Sequence, residues 1–197
     1  MSAQTAHDIF AVMAIIALLG AVALGVARLV PAVPTVRFLD VMHRWNLHLA
    51  ALVATVTTLG SLWFSESKGW IPCRFCWYQR VCMFPLAVIL IAAVLRKDRA
   101  VKWYVAPLAT IGILVSIWHN LLERGVVGES KECAASVPCA IPNLISFGGR
   151  DDVTLRPTGF PSITLTVMAF CAFAAILALV LLPQPLEAPE DGEPSAS

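Results

Sequence analysis

Five long apolar runs separated by polar connections dominate this chain: Ile9 to Val30, Leu47 to Phe64, Trp77 to Leu95, Trp103 to Leu122 and Phe160 to Leu182. Each approaches or reaches the roughly 20 residues that an α-helix needs to cross a hydrocarbon core. A membrane barrel would instead show segments of about ten residues with alternating polarity, and none of these runs alternates. Only 14% of the residues are charged and 58% are hydrophobic, whereas about a quarter of a soluble domain is charged. The chain therefore reads as an all-α integral membrane protein.

Short cytoplasmic loops retain Lys and Arg, so basic residues give the orientation. Arg37 and Arg44, with Arg28 just inside the first run, mark the first connection, and Arg96, Lys97, Arg99 and Lys102 mark the third. Threading five helices places both on the cytoplasmic side. The N-terminus, the loop before Trp77 and the long loop from Glu123 to Gly159 then lie outside. That loop carries Arg124, Lys131, Arg150 and Arg156 alongside acidic residues, and long loops obey the charge rule less strictly. Residues 1–8 contain no Lys or Arg, whereas a signal peptide normally begins with a basic region, so the first run is expected to stay as a helix. Residues 183–197 are rich in Pro and Glu without a basic residue, the composition of a disordered cytoplasmic tail. The net charge of +1 and the clustering of basic residues at connections give no sign of a nucleic-acid partner, and no phosphate-binding glycine loop or serine-hydrolase motif stands out.

Thiol chemistry is the strongest functional signal. Cys73 and Cys76 are two residues apart and open the third run, while Cys133 and Cys139 lie in the long outer loop. Cys76 falls at the start of a helix, where unpaired amides and the helix dipole favour negative charge. Arg80 follows one turn later on the same face, so a permanent cation stands near that sulfur. Such surroundings distinguish reactive from inert cysteines. An Arg so near a helix end also suits snorkelling to the headgroups. A disulfide staple is a second reading of the pairs, and a four-thiolate metal site a third, although five residues including Pro138 between Cys133 and Cys139 make a poor metal knuckle. Trp77 stands where covalent haem attachment would require His. Cys82 and Cys171 lie inside runs and read as inert small apolar residues. His119 shares the outer level of the Cys73/Cys76 pair, near Asn120 and Glu123 at the expected water boundary, and suits either proton handling or a hydrogen bond to a neighbouring helix. His43 and His48 fall at the opposite interface. Trp63, Trp70, Trp77, Tyr78 and Trp118 suit an aromatic belt, a subset of which could wall a flat ring.

The run Pro72-Cys73-Arg74-Phe75-Cys76-Trp77-Tyr78-Gln79-Arg80, then Met83-Phe84-Pro85-Leu86, Val137-Pro138-Cys139 and Gly159-Phe160-Pro161, resembles the disulfide bond formation protein B family (DsbB), especially its BdbC-like branch. The resemblance implies a four-helix transmembrane bundle over residues 47–182, to which residues 1–46 add one N-terminal transmembrane helix and a cytoplasmic connection, with 183–197 as the tail. It also implies a thiol:quinone oxidoreductase of the bacterial inner membrane, with its redox loops extracytoplasmic. Electrons would pass from a reduced thioredoxin-like, DsbA-like dithiol protein to ubiquinone or menaquinone in the lipid bilayer. By that resemblance Cys133 meets the partner thiolate, Cys139 links the loops to Cys73, Cys76 faces the quinone, and Arg80 orients its carbonyl, with His119 beside them. The close spacing of Cys133 and Cys139 leaves their two roles interchangeable. The vitamin K epoxide reductase family shares related chemistry, but there the loop cysteines precede the Cys-x-x-Cys, and here they follow it. A non-enzymatic scaffold with structural disulfides or bound metal is the reading from a different class.

Overall fold

The computed structural model describes residues 3–29, 33–128, 139 and 163–182. Five helices and no strand occur among them: α1 (Ala3–Leu29), α2 (Val33–Lys68), α3 (Arg74–Arg96), α4 (Lys102–Glu123) and α5 (Leu165–Val180). The first four are long and apolar enough to cross a membrane. Cys133, the rest of residues 129–162 except Cys139, and the tail expected over 183–197 lie outside the described residues.

Two elements differ from the sequence expectation. The connection expected before Leu47 is almost entirely helical, because α2 already begins at Val33. Residues 33–46 form its first four or so turns at 3.6 residues per turn, with Arg44 paired to Asp40 at 3.1 Å on the exposed face. The last helix is shorter than its apolar run. Thr164 is extended and its side chain caps Val167 N–H, so the helix starts at Leu165. It stops before Leu182, whose successor Pro183 disfavours helical geometry in the residue before it.

Helices α2, α3, α4 and α5 form a closed ring in which each packs against the next and α5 returns to α2, while α1 lies outside in the groove between α2 and α5. Small residues make these approaches close, as membrane helices require when no hydrophobic effect drives them together. Buried Ala11 and Ala14 of α1 meet Met168 and Cys171 of α5. Another side of α1 is left to lipid, with Leu19 62% and Val12 48% exposed. The main core joins Ala50 and Ala54 of α2 to Leu86 and Leu90 of α3, Val105 and Ala109 of α4, and Phe173 and Ile176 of α5. Cys82 is buried within it, and Cys171 lies in the smaller α1–α5 cluster.

Polar residues tie the two ends. At the end remote from Cys73, Asn46 Nδ2 donates to Leu179 O at 3.4 Å, Arg28 Nη2 donates to Ala178 O at 3.2 Å, and Arg99 meets buried His43. The tight α3–α4 link there turns on Lys97, whose φ of 53° lets its N–H reach the carbonyls of Ala93 and Val94.

Gly112 marks a close helix approach, since a Cβ there would stand 2.4 Å from Cε1 of fully buried Phe173. Gly112→Ala is expected to destabilise the bundle by about 1–3 kcal/mol through overpacking. Gly20→Ala, whose Cβ meets nothing within 4 Å, should be neutral. Thermal unfolding in detergent checks the pair, and an unchanged midpoint for Gly112→Ala would contradict the packing.

Candidate active site

The site begins with the way α3 starts. Cys73 is its N-cap, in extended geometry, and its sulfur accepts the backbone N–H of Cys76 at 3.2 Å. That is the place and role in which Ser, Thr, Asp or Asn normally serves. The two-residue spacing therefore puts one sulfur at the cap and the other in the first turn, and the sulfurs lie 2.7 Å apart. Cys73 is buried, while Cys76 is partly open. The hydrogen bond with Cys76 and burial together push the Cys73 thiol well above its ordinary range, with the His119 contact opposing them. In the reduced pair Cys73 therefore holds its proton more firmly than an ordinary thiol, and that one proton can be shared with either Cys76 Sγ or His119 Nε2.

α4 and α5 supply a buried polar chain behind Cys73. His119 Nε2 lies 3.6 Å from Cys73 Sγ and 3.3 Å from the carbonyl oxygen of Cys139. Thr166 gives its single hydroxyl proton to Glu123 Oε1 at 2.6 Å and so accepts from His119 Nδ1 at 3.4 Å. Thr164 donates to Glu123 Oε2 at 2.7 Å. With Nδ1 protonated, the neutral ring presents the Nε2 lone pair to the Cys73 S–H. A ring that has taken that proton donates from Nε2 to the Cys139 carbonyl or to the sulfur, with the Glu123 carboxyl 4.0 Å away to complement its charge. The arrangement is a thiol, a base and an acid-stabilising carboxyl in series.

Arg80 and Cys76 share a helix face, as their spacing requires, and both line one cavity. The guanidinium is fixed by α2: Nε donates to Ser61 Oγ and Nη2 to Ser61 O, each at 2.9 Å, and Nη2 also reaches Ser65 Oγ. It lies 5.3 Å from the centre of the Trp77 ring. The expected cation therefore stands beside the dithiol, held across the helix interface by serines, with no hydrogen bond to sulfur among the described contacts. The cavity measures about 600 Å³ and is mostly apolar, with Cys73, Cys76, Gln79, Arg80, His119 and Glu123 gathered in its wall. Trp70, stacked on Phe64 at 4.7 Å, belongs to that wall, whereas Trp77, Tyr78 and Trp118 face outward as a belt would.

Of the sequence candidates, the structure brings Cys73, Cys76, Arg80, His119 and Cys139 together. Cys139 is 1% exposed and clusters with Cys73, Phe75 and Cys76. Cys133 lies outside the described residues. Glu123, read as a boundary marker, is instead 4% exposed, because α5 covers it with two threonines. Sequence reasoning also passed over Thr164, Thr166, Ser61, Ser65 and Gln79, whose amide donates to Ser116 Oγ at 3.1 Å. The i, i+4 pair Ser61/Ser65 and the Cys76/Gln79/Arg80 face were the available signals.

A ring of four apolar helices with a dithiol at one end, and a fifth helix alongside, defines a polytopic membrane thiol-redox protein. The family model for disulfide bond formation protein DsbB matches residues 43–182, and the chain belongs to that family. It is similar to a probable disulfide formation protein of Deinococcus radiodurans, 41% identical over 139 residues that cover 71% of this chain and 88% of the relative. Disulfide bond formation protein C of Bacillus subtilis is 40% identical over 138 residues, 69% of this chain and 90% of that protein. A probable disulfide formation protein of Metapseudomonas resinovorans is 36% identical over 139 residues, covering 69% and 90% respectively. No solved structure matches the chain. Family and fold together make it a multi-pass bacterial membrane oxidoreductase of disulfide bond formation.

In the reduced protein, alkylation should label Cys76 faster than Cys73 across neutral pH by at least about tenfold, since each unit by which Cys73 is raised cuts its thiolate fraction tenfold. His119→Ala removes the contact that opposes this rise, so it should slow Cys73 labelling further at any fixed pH. Peptide mass spectrometry reads both, and equal rates for the two cysteines would contradict the proton placement.

Proposed function

We propose that this protein is a thiol:quinone oxidoreductase that reoxidises a thioredoxin-like, DsbA-like dithiol protein outside the cytoplasm and passes the electrons to membrane quinone. The observation that carries the reading is the position of Cys76 and Arg80 together in the wall of a largely apolar cavity of about 600 Å³. A flat apolar ring with carbonyl oxygens fits such a space, which pairs apolar lining with a few placed polar groups. Quinone, ubiquinone or menaquinone, supplies a two-electron, two-proton acceptor when bound.

The chain's own residues then have distinct tasks. The partner's dithiol is oxidised to a disulfide as it reduces the Cys133–Cys139 pair, the roles of those two remaining interchangeable. A loop thiolate, assigned to Cys139, attacks Cys73 Sγ, forming a new S–S bond and breaking Cys73–Cys76. Cys76 leaves as a thiolate in the first turn of α3, where the helix dipole stabilises it, and attack of the second loop thiol on Cys139 then closes the loop disulfide and releases Cys73 to take up a proton. His119 holds the proton exchanged with Cys73, with Glu123 and its threonines keeping the ring in its tautomer. Arg80 presents a fixed cation where a carbonyl oxygen gains negative charge. For each turn, one partner disulfide forms, and two electrons and two protons leave the dithiols. The basic α3–α4 link and Arg28, Arg37 and Arg44 group at the opposite end of the bundle from Cys73, which supports an extracytoplasmic redox end.

One observation favours a second reading. Cys73, Cys76 and His119 present donor atoms within 4.8 Å of one another, a partial metal site. A closed structural zinc site takes four ligands, and three donors converge here among the described residues.

Quinone reduction by the purified protein, supplied with a reduced thioredoxin-like donor, tests the proposal. Cys76→Ser should abolish it. Arg80→Ala should lower it about ten- to a hundredfold, the worth of one hydrogen bond to a charged group, while leaving thiol exchange with the donor intact. Stoichiometric zinc, with both pairs resistant to mild reductant, would replace this reading with the metal-stapled scaffold.

A further inference from the structure

The cavity is not walled by the four-helix ring alone. Besides Ile16, α1 contributes Phe10, Met13, Ala14 and Ala17, which line it together with residues of α2, α3, α4 and α5. Their i, i+3, i+4, i+7 spacing is one continuous helix face. The DsbB family match begins at residue 43, so this wall lies outside the part of the chain that defines the family.

The cavity also has a direction. Its dithiol, Arg80, His119 and Glu123 collect at one end, while the lining continues down α2 from Ser65 to Leu52, a distance of about 20 Å at 1.5 Å per residue. Along α1, Phe10 to Ala17 covers about 10 Å of the same course. All that α1 contributes there is apolar. Its seat is built: Gly60 of α2 leaves room for the Phe10 ring, where a Cβ would come within 2.8 Å of Cε1 and Cζ. Phe10 also lies 5.8 Å from Phe64, which stacks on Trp70 above the dithiol loop. The α1 wall is thus joined by aromatic contacts to the redox end.

We infer that α1 forms the tail-binding wall of the quinone site, so that the isoprenoid chain of the acceptor lies against Phe10, Met13, Ala14 and Ala17 while its ring lies at Cys76 and Arg80. This rests on the quinone reading and extends it to a helix that the family's own bundle does not include. It assigns the first helix a task beyond anchoring. Discrimination between tailed and tail-less quinones then resides in α1, more than 50 residues from the cysteines in sequence.

Equilibrium binding of two probes to the full-length protein in detergent tests this: a tail-less benzoquinone and the same ring bearing a decyl chain. Ala17→Phe, which fills the wall, should weaken the decyl probe about tenfold, the effect of displacing two or so methylenes from apolar contact, and change the tail-less probe less than twofold. Phe10→Ala, which subtracts volume instead, should act in the same sense, and unchanged thiol exchange reports that each variant is folded. Equal effects on both probes, or none on either, would overturn the role of α1. A wild-type protein that binds neither probe would instead remove the quinone reading itself, and this inference with it.

Discussion

The hydrogen bond from Cys76 N–H to Cys73 Sγ is the contact on which the site depends. It makes one cysteine the cap of α3 and leaves the other in its first turn, so the helix start and the dithiol are the same structure. Helix geometry then fixes everything on that face: Gln79, Arg80 and Met83 follow Cys76 at three, four and seven residues and reach the same cavity. The protein does not place a reactive pair on a flexible loop and wait for a substrate. The cap holds it at one end of the helix ring, with Cys76 in the wall of the apolar cavity.

Burial explains why the polar groups around the pair come as a connected set. His119, Glu123, Thr164, Thr166, Gln79 and Ser116 are all buried, and a buried polar group without a partner costs about 1–3 kcal/mol. Their bonds to one another remove that penalty and at the same time join α4 to α5 and α3 to α4. The same contacts set the tautomer of His119. Structural satisfaction and the orientation of the His119 ring therefore share one network. Arg80 follows the same logic on the other side, where Ser61 and Ser65 hold a cation that would otherwise be costly inside a span.

The extra helix shows how membrane packing can enlarge a site without altering its chemistry. α1 fits against α5 through Ala11 and Ala14 and over α2 at Gly60. Where these contacts loosen, the cavity opens beside it. Lipid-facing residues cover its other side, so the helix divides bilayer from pocket.

Much was legible in the sequence because the bilayer imposes strong local rules. Backbone groups in hydrocarbon must pair within a helix, so apolar run length alone gave five helices and the all-α class, and spacing alone put Cys76 and Arg80 on one face. The ends were less legible. Whether a polar segment such as 33–46 continues a helix, or Thr164 rather than Phe160 begins one, depends on caps and on neighbours that hydropathy does not record. The partners of Glu123, Arg80 and His119 come from helices distant in the chain, and a sequence cannot say which faces will meet. Only tertiary packing turned Glu123 inward, joined Arg80 to Ser61, and brought α1 to the edge of the cavity. Local physics sets the elements and their faces; contacts between faces are decided by how small residues let the helices approach.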